Sequence, residues 1–222
     1  MSARTAGFGI FAISLVGCTA IANPVAEAVV DRTRYTTATY AVYLWGSAVG
    51  EDGKAEEHWS AEFHSGDWHR MDGPNMRVIA NCRTHVGYFH DVATGETTNA
   101  PNAYRGSCGI YDAPNVINVA LLPQITGGGQ RLDQVEVTDA KFVRLYAIDQ
   151  RGVIVGSDWM ATNGSAAPCI KTRALAVLST LPEADIFSKE SIGKSIVPSR
   201  YQSAPRSVPE LELSGRKCGS MK

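Results

Sequence analysis

Histidine and acidic side chains cluster in the first half of this chain, and such side chains can bind a metal ion or transfer protons. All five histidines lie between residues 58 and 90. Glu62 and His64 share one face of a predicted strand, where His69 from a neighbouring strand could complete a divalent metal site such as a zinc site. The alternative is a solvated sheet face that carries polar side chains and needs no cofactor.

Proton transfer is a second chemistry that histidines allow, because imidazole titrates near neutral pH. A small lyase or isomerase would need such groups in one pocket, and the candidates are His64, His85 and His90. The sequence contains no Gly-x-Ser-x-Gly motif, and the three glycines at 127–129 are not followed by the Lys of a phosphate-binding loop. We therefore expect binding rather than catalysis, and keep the enzyme as an alternative.

Aromatic side chains could line an apolar pocket near these polar groups, since they offer large contact areas with few rotatable bonds. Residues 57–64 alternate, which places Trp59 and Phe63 on one predicted inner face of a strand. The candidate ligand-binding residues are Trp45, Trp59, Phe63, Trp68 and Tyr88. The alternative is that these rings only fill the core.

The cysteines indicate an oxidising compartment. Four of the five follow residue 80, which is an even number for a disulfide framework. Three pairings are possible. We favour Cys82 with Cys108, because both lie in segments predicted to be neighbouring strands, and this leaves Cys169 for Cys218. Free buried thiols are the alternative.

The elements that must position these residues are mainly strands. From residue 35 to residue 160, segments rich in β-branched and aromatic residues alternate with turn sequences. Residues 23–34 have helical potential, and residues 170–181 carry an apolar stripe at helical spacing that ends before Pro182. We predict a mainly antiparallel β (α+β) fold, namely a strongly curved sheet or incomplete barrel with one helix, residues 170–181, packed across it.

Several strands are apolar on both faces, as the segment 142–148 illustrates. Both faces of the sheet must therefore be covered, or one face must hold an apolar ligand. Residues 25–188 are predicted to form a single domain. Residues 189–222 are basic and rich in Ser and Pro, which predicts a disordered tail.

The overall charge excludes one class of partner. The chain has 21 Lys and Arg against 22 Asp and Glu, so its formal net charge is −1. Nucleic-acid binding normally requires a basic surface. We therefore expect no nucleic-acid partner.

The first residues have the pattern of an export signal. Arg4 precedes an apolar stretch that is too short to span a bilayer and ends at Gly17. The residues Leu15 to Cys18 resemble the lipobox of bacterial lipoproteins, which implies removal of residues 1–17 and lipidation of Cys18. A cut after residue 22, which would release a soluble chain, is the alternative. Thr19 stands where inner-membrane lipoproteins of enteric bacteria carry Asp, so the resemblance implies the outer membrane.

An exported chain with long strands in hairpin order and an aromatic first half resembles the Lol-type half-barrel carriers of the bacterial cell envelope. The resemblance covers roughly residues 25–188 and implies a bent sheet around an apolar cavity. The expected protein is a lipoprotein of the periplasm, or of the periplasmic face of the outer membrane, that binds an apolar or acyl-type ligand. A small enzyme that uses the histidines is the second hypothesis, and a structural or assembly lipoprotein with a protein partner is the third.

Overall fold

The first helix, α1 (Pro24–Arg34), forms where the sequence predicts helical potential. In this computed structural model, which describes residues 23–50, 54–110, 116–162 and 169–215, Asn23 caps the helix. Its side-chain oxygen accepts hydrogen bonds from Val25 N at 3.1 Å and Ala26 N at 3.3 Å. Pro24 has no N–H to satisfy and fits the first turn. The sequence therefore defines the amino end of α1 locally.

In the described residues, eleven antiparallel strands form one open sheet, which confirms the predicted mainly antiparallel β fold. They are β1 (Tyr40–Val49), β2 (Ala55–Ser65), β3 (Trp68–Asp72), β4 (Met76–Asn81), β5 (Gly87–Asp91), β6 (Thr97–Asn99), β7 (Val116–Gly127), β8 (Gln130–Asp139), β9 (Phe142–Ile148), β10 (Ile154–Ala161) and β11 (Cys169–Leu178). Their order across the sheet is β6-β5-β4-β3-β2-β1-β11-β10-β9-β8-β7. The chain thus builds two meanders, and β11 joins the second to the first. The described residues also form a short helix, α2 (Tyr104–Ser107), and a 3-10 turn (Ser199–Tyr201).

The prediction of a helix over residues 170–181 is wrong, because this segment forms β11 in the middle of the sheet. β11 pairs with β1 on one side and β10 on the other. The register with β1 shifts where Tyr43 faces Ala176 and Leu44 faces Ala174. This bulge inserts Leu175 and breaks the two-residue period of the strand. The apolar residues on either side of the bulge consequently mimic helical spacing.

Helix α1 packs on one face of the sheet, which is called the helix face below. Val29 and Val30 of α1 are buried against Val135, Val137 and Ile148 of β8 and β9. Strands alternate their side chains between faces, so the register assigns the remaining residues to the helix face or to its opposite.

The opposite face is covered by residues 182–215 and is called the tail face below. Ile186, Ile196 and Val197 pack there against Tyr43 and Phe63. The disordered tail predicted from residue 189 is therefore wrong for residues 189–215. The many Ser and Pro residues and the few apolar ones predicted disorder here, but buried Ile192, Ile196 and Val197 are sufficient to pack the segment on the sheet. Both faces of the sheet are covered, which explains the strands that are apolar on both sides.

Residues 182–215 are called the covering segment below, and buried charges hold it in place. Arg70 is 0% exposed and donates hydrogen bonds to Ile186 O at 2.9 Å and Lys194 O at 2.6 Å. Its Nε also donates to Asp72 Oδ1 at 2.7 Å. Arg77 donates to Gly193 O at 2.8 Å. The carbonyl groups of an irregular segment thus find buried partners, as they must away from water.

One predicted disulfide lies within the described residues. Cys82, which follows β4, and Cys108, which follows α2, are joined by a disulfide of S–S distance 2.07 Å. It ties the segment after β6 to the helix face, where Cys108 packs against Ala80 and Tyr104. Cys169 is also disulfide-bonded. Its predicted partner Cys218, the lipidation site Cys18 and the export signal lie outside the described residues.

Within the ranges described, neither helix is long and apolar enough to cross a membrane.

Candidate functional site

A cavity of about 480 Å³ opens on the helix face. Its walls come from β1, β2, β3, β4, β9, β10 and β11, and its rim comes from α2 and the residues beside it. This volume lies in the range of small-molecule sites in proteins. The apolar lining residues are Leu44, Met71, Met76, Ile154, Trp159 and Ile170, and the larger polar ones are His58, Glu62, Arg105, Arg144 and Tyr146. The cavity therefore combines an apolar wall with a few polar groups.

Glu62 is the central acidic group of this cavity. It lies on β2 opposite Val42 and Met71, and its side chain is 24% exposed. Burial raises the pKa of the Glu62 carboxyl to about 7. Its Oε2 lies 3.6 Å from His69 Nε2. No Lys or Arg in the described ranges forms an ion pair with Glu62, so its charge in the ionised state is not compensated.

His69 cannot supply that compensation, because it stays neutral. Burial, with a smaller contribution from the nearby His64, lowers the pKa of His69 to about 3. His64 itself is fixed by Ala38 O, 2.8 Å from its Nδ1, and by stacking on Tyr40 with ring centroids 5.3 Å apart. Burial also lowers the pKa of His64. Both rings therefore form a neutral aromatic cluster behind Glu62.

The opposite wall is formed by Arg144, Tyr146 and Trp159. Burial raises the pKa of Tyr146 to about 12, and the charge of Glu62 contributes to this rise, whereas Arg144 opposes it. In a flat sheet β2 and β9 would lie four strand spacings apart, about 19 Å. The electrostatic effect of Glu62 on Tyr146 therefore reflects the curvature of the sheet. Curvature brings residues from both meanders to one cavity.

Arg144 already has an anionic partner. Its Nη2 donates to Asp139 Oδ2 at 2.7 Å, and its guanidinium lies over the Trp159 ring at 5.5 Å from the centroid. Asp139 also accepts hydrogen bonds from Lys141 N and Phe142 N. The arginine is thus held in place and its charge is neutralised within the wall.

The predicted metal-binding set does not form a metal site. Glu62, His64 and His69 are neighbours, but His64 Nδ1 contacts a backbone carbonyl and the rings of His64 and His69 lie 5.9 Å apart at 73°. No group of three or more His, Cys, Asp or Glu residues in the described ranges is arranged to hold a metal ion.

The three histidines of the catalytic alternative lie in three different places. His64 is in the neutral cluster on the helix face. His85 stacks on Tyr104 with ring centroids 3.8 Å apart. His90 Nδ1 contacts Thr97 Oγ1 at 2.9 Å, and its ring faces Gly193 on the tail face. The structure therefore does not bring them together in one pocket.

The predicted aromatic set lies on the face opposite this cavity. By register, all five candidates (Trp45, Trp59, Phe63, Trp68 and Tyr88) point to the tail face, and none of them lines the cavity. Phe63 is buried against the covering segment, and Lys189 lies over the Tyr88 ring. Trp59 and Phe63 share one face, as the alternation predicts, and this is the face that residues 182–215 cover.

Sequence reasoning missed Arg144, Tyr146 and Trp159. The signal that could have found the first is a charged residue inside an otherwise apolar strand, because β9 reads Phe-Val-Arg-Leu-Tyr-Ala-Ile. A charge at such a position must face either solvent or a polar cavity. Trp159 carried no comparable signal.

Comparison with known proteins gives structural likenesses alone. No protein family model and no curated protein match the chain. The structure is similar to that of MucB, with 10% sequence identity and a TM-score of 0.47, over 73% of this chain and 62% of that one. It therefore spans less than two thirds of the MucB chain.

Two further solved structures match nearly their whole length. A putative outer membrane lipoprotein-sorting protein domain from Vibrio parahaemolyticus has 8% identity and a TM-score of 0.43, over 77% of this chain and 97% of that one. A LolA superfamily protein from Nitrosomonas europaea has 7% identity and a TM-score of 0.42, over 77% and 99%. Lol-type proteins are among the matched structures.

Proposed function

We propose that this protein is exported to the bacterial cell envelope and binds an amphipathic ligand, unchanged, in the cavity on the helix face. The observation that carries the proposal is the cavity itself, which has an apolar wall and a small polar group around Glu62. Ligand sites in proteins usually have this composition, because apolar contact supplies affinity and a few polar groups fix the orientation.

The proposed location of the protein is the cell envelope. The export-signal pattern before Cys18 supports export and a lipid anchor, and the Cys82–Cys108 disulfide is consistent with an oxidising compartment such as the periplasm. Lipidation of Cys18 would hold the protein at the periplasmic face of the outer membrane. The cavity would then face a compartment in which amphipathic molecules need carriers.

Binding of the apolar fluorophore 1-N-phenylnaphthylamine to the purified mature chain tests the proposal. Ser157 lines the cavity, so Ser157→Phe should fill it and weaken binding at least about tenfold. Ser203→Phe is the matched control, because Ser203 is exposed on the covering segment, and should bind like the original chain. Equal binding by all three proteins, with unchanged unfolding temperatures, would refute binding in this cavity.

A further inference from the structure

The polar end of the cavity discriminates between ligand charges. Glu62 is the acidic group that lines it, and in the described ranges its ionisable contact is His69 at 3.6 Å. The His69 side chain is 3% exposed, and its Nε2 has no hydrogen-bond partner among the described residues. A buried carboxylate without a cation is costly, and a positively charged ligand group would remove that cost.

The one arginine in the wall does not favour an anionic ligand. Arg144 is ion-paired with Asp139, so this pair contributes no net charge to the cavity. Arg105 at the rim is exposed, and its Nε donates to Tyr104 OH at 3.2 Å. A ligand carboxylate or phosphate in the cavity would also be repelled by the ionised carboxylate of Glu62, which lines it.

Aromatic groups complete the environment that a cation needs. Trp159 and Tyr146 line the same cavity as Glu62. The faces of aromatic rings attract ammonium groups, and this attraction strengthens where water is excluded. Arg144 already lies over one face of the Trp159 ring. A carboxylate that has no cationic partner among the described residues, the Tyr146 ring and an apolar wall together form a receptor for an amine that carries an apolar chain.

We infer that the cavity selects cationic amphiphiles, binding an ammonium group at Glu62 and the apolar chain along Leu44, Met71 and Ile170. This inference rests on the proposed function, since it names the class of ligand for the same cavity. It makes Glu62 the residue that determines specificity and gives the Arg144–Asp139 pair a structural role in the wall.

Three ligands with the same octyl chain test the inference: octylammonium, octanol and octanoate, each displacing 1-N-phenylnaphthylamine at pH 8. We expect octylammonium to bind at least about tenfold more tightly than octanol, and octanoate to bind most weakly. Glu62→Gln should lower octylammonium affinity to that of octanol and leave octanol unchanged. Glu57→Gln, on the same strand but facing the tail side, should change neither.

The outcomes separate the two proposals. If the fluorophore binds in the cavity but octanol or octanoate matches octylammonium, the charge preference is refuted and the proposed function stands. If Ser157→Phe leaves fluorophore binding unchanged, the proposed function fails first. Loss of octylammonium binding in Glu57→Gln rather than Glu62→Gln would place the cation site on the tail face and refute the inference.

The pH dependence offers a second, independent readout. The charged or titratable groups around Glu62 include Tyr40 from β1, His64 from β2, His69 from β3, Tyr146 and Arg144 from β9, and Arg105 from α2. Octylammonium affinity should rise from pH 6 to pH 8 as Glu62 ionises. His58 on β2 also lines the cavity, so the series is repeated in Glu62→Gln, where the rise should disappear. A rise that persists there would overturn the assignment to Glu62.

Discussion

At the scale of single residues, burial makes the ionised form of Glu62 costly in the free protein, and the same carboxyl is the group proposed to bind the ligand. Its carboxyl lies in a partly apolar cavity, and strand pairing on both sides fixes the backbone that carries it. The pKa of about 7 is the result of this confinement. Functional sites often contain groups with strongly shifted pKa values. A ligand of opposite charge stabilises the ionised form that is costly in the free protein.

The same confinement should make stability depend on pH. The folded state favours the protonated form of Glu62, so its contribution to the free energy of unfolding is complete below pH 4.5. This contribution is lost as the pH rises towards 7. Glu62→Gln should remove that loss. Above pH 7 the variant should exceed the original chain by about 3 kcal/mol, because one pKa unit corresponds to about 1.4 kcal/mol.

Urea unfolding of both proteins between pH 4 and pH 8 measures this difference. His69 has the opposite dependence, because its lowered pKa means that falling pH removes stability below its ordinary value of 6.5. Both proteins contain His69, so the difference between them isolates Glu62. A difference that does not grow between pH 4.5 and pH 7 would show that Glu62 is solvated in the folded protein.

At the scale of elements, α1 is held by two contacts. Its valines pack on the sheet, and its carboxyl end lies against the backbone at Gly109. Gly109 has φ +71°, and a Cβ there would lie 2.5 Å from Thr33 O near the end of α1. The Thr33 hydroxyl accepts a hydrogen bond from Ile110 N at 2.9 Å. The segment that forms the rim of the cavity is thus attached to the carboxyl end of the helix.

Gly109→Ala should therefore be much more destabilising than an ordinary glycine substitution. Gly95→Ala is the matched control, because Gly95 has φ +72° and open space around its Cα. Left-handed backbone costs about 1 to 2 kcal/mol in either variant. Gly109→Ala should lose about 2 kcal/mol more, since the backbone of α1 must move. Thermal unfolding measures both losses, and equal losses would contradict the close docking of α1.

The elements also show the limits of local sequence patterns. Residues 24–34 carry their own helix signals, namely Asn23 as the cap and Pro24 in the first turn, so the helix was predictable. Residues 170–181 were assigned wrongly, because the bulge at Leu175 disturbs the alternation on which a strand prediction depends. A bulge is specified by the neighbouring strand β1, which lies more than 120 residues away in the sequence.

At the scale of the whole molecule, the carboxyl-terminal segment is part of the structural core. It covers the tail face, and buried Arg70 and Asp72, both 0% exposed, hold it there. Each of the two meanders would otherwise expose one apolar face. The fold therefore requires residues from both ends of the described chain, α1 on one face and residues 182–215 on the other.

Removing the buried cation should release the covering segment. Arg70→Met leaves Asp72 without its closest partner and should cost about 3 to 5 kcal/mol. Limited proteolysis should then cut within residues 182–197 before the sheet. Arg83→Met is the control, because Arg83 is 77% exposed and its pairing with Asp67 should contribute less than about 1 kcal/mol. Similar proteolysis patterns for both variants would refute the clamping role of Arg70.

The sequence by itself determined the antiparallel strands, the first helix, the alternating faces of β2 and the apolar residues on both faces of β9. These features follow from local composition and from the alternation of side chains, which need no knowledge of distant residues. Only the tertiary structure decided which face of the sheet carries the cavity around Glu62. Trp59 and Phe63 share a face as predicted, but the covering segment occupies it, and Glu62 faces the cavity instead. Alternation defines two faces of a strand, whereas the segments that bury each face come from far along the chain.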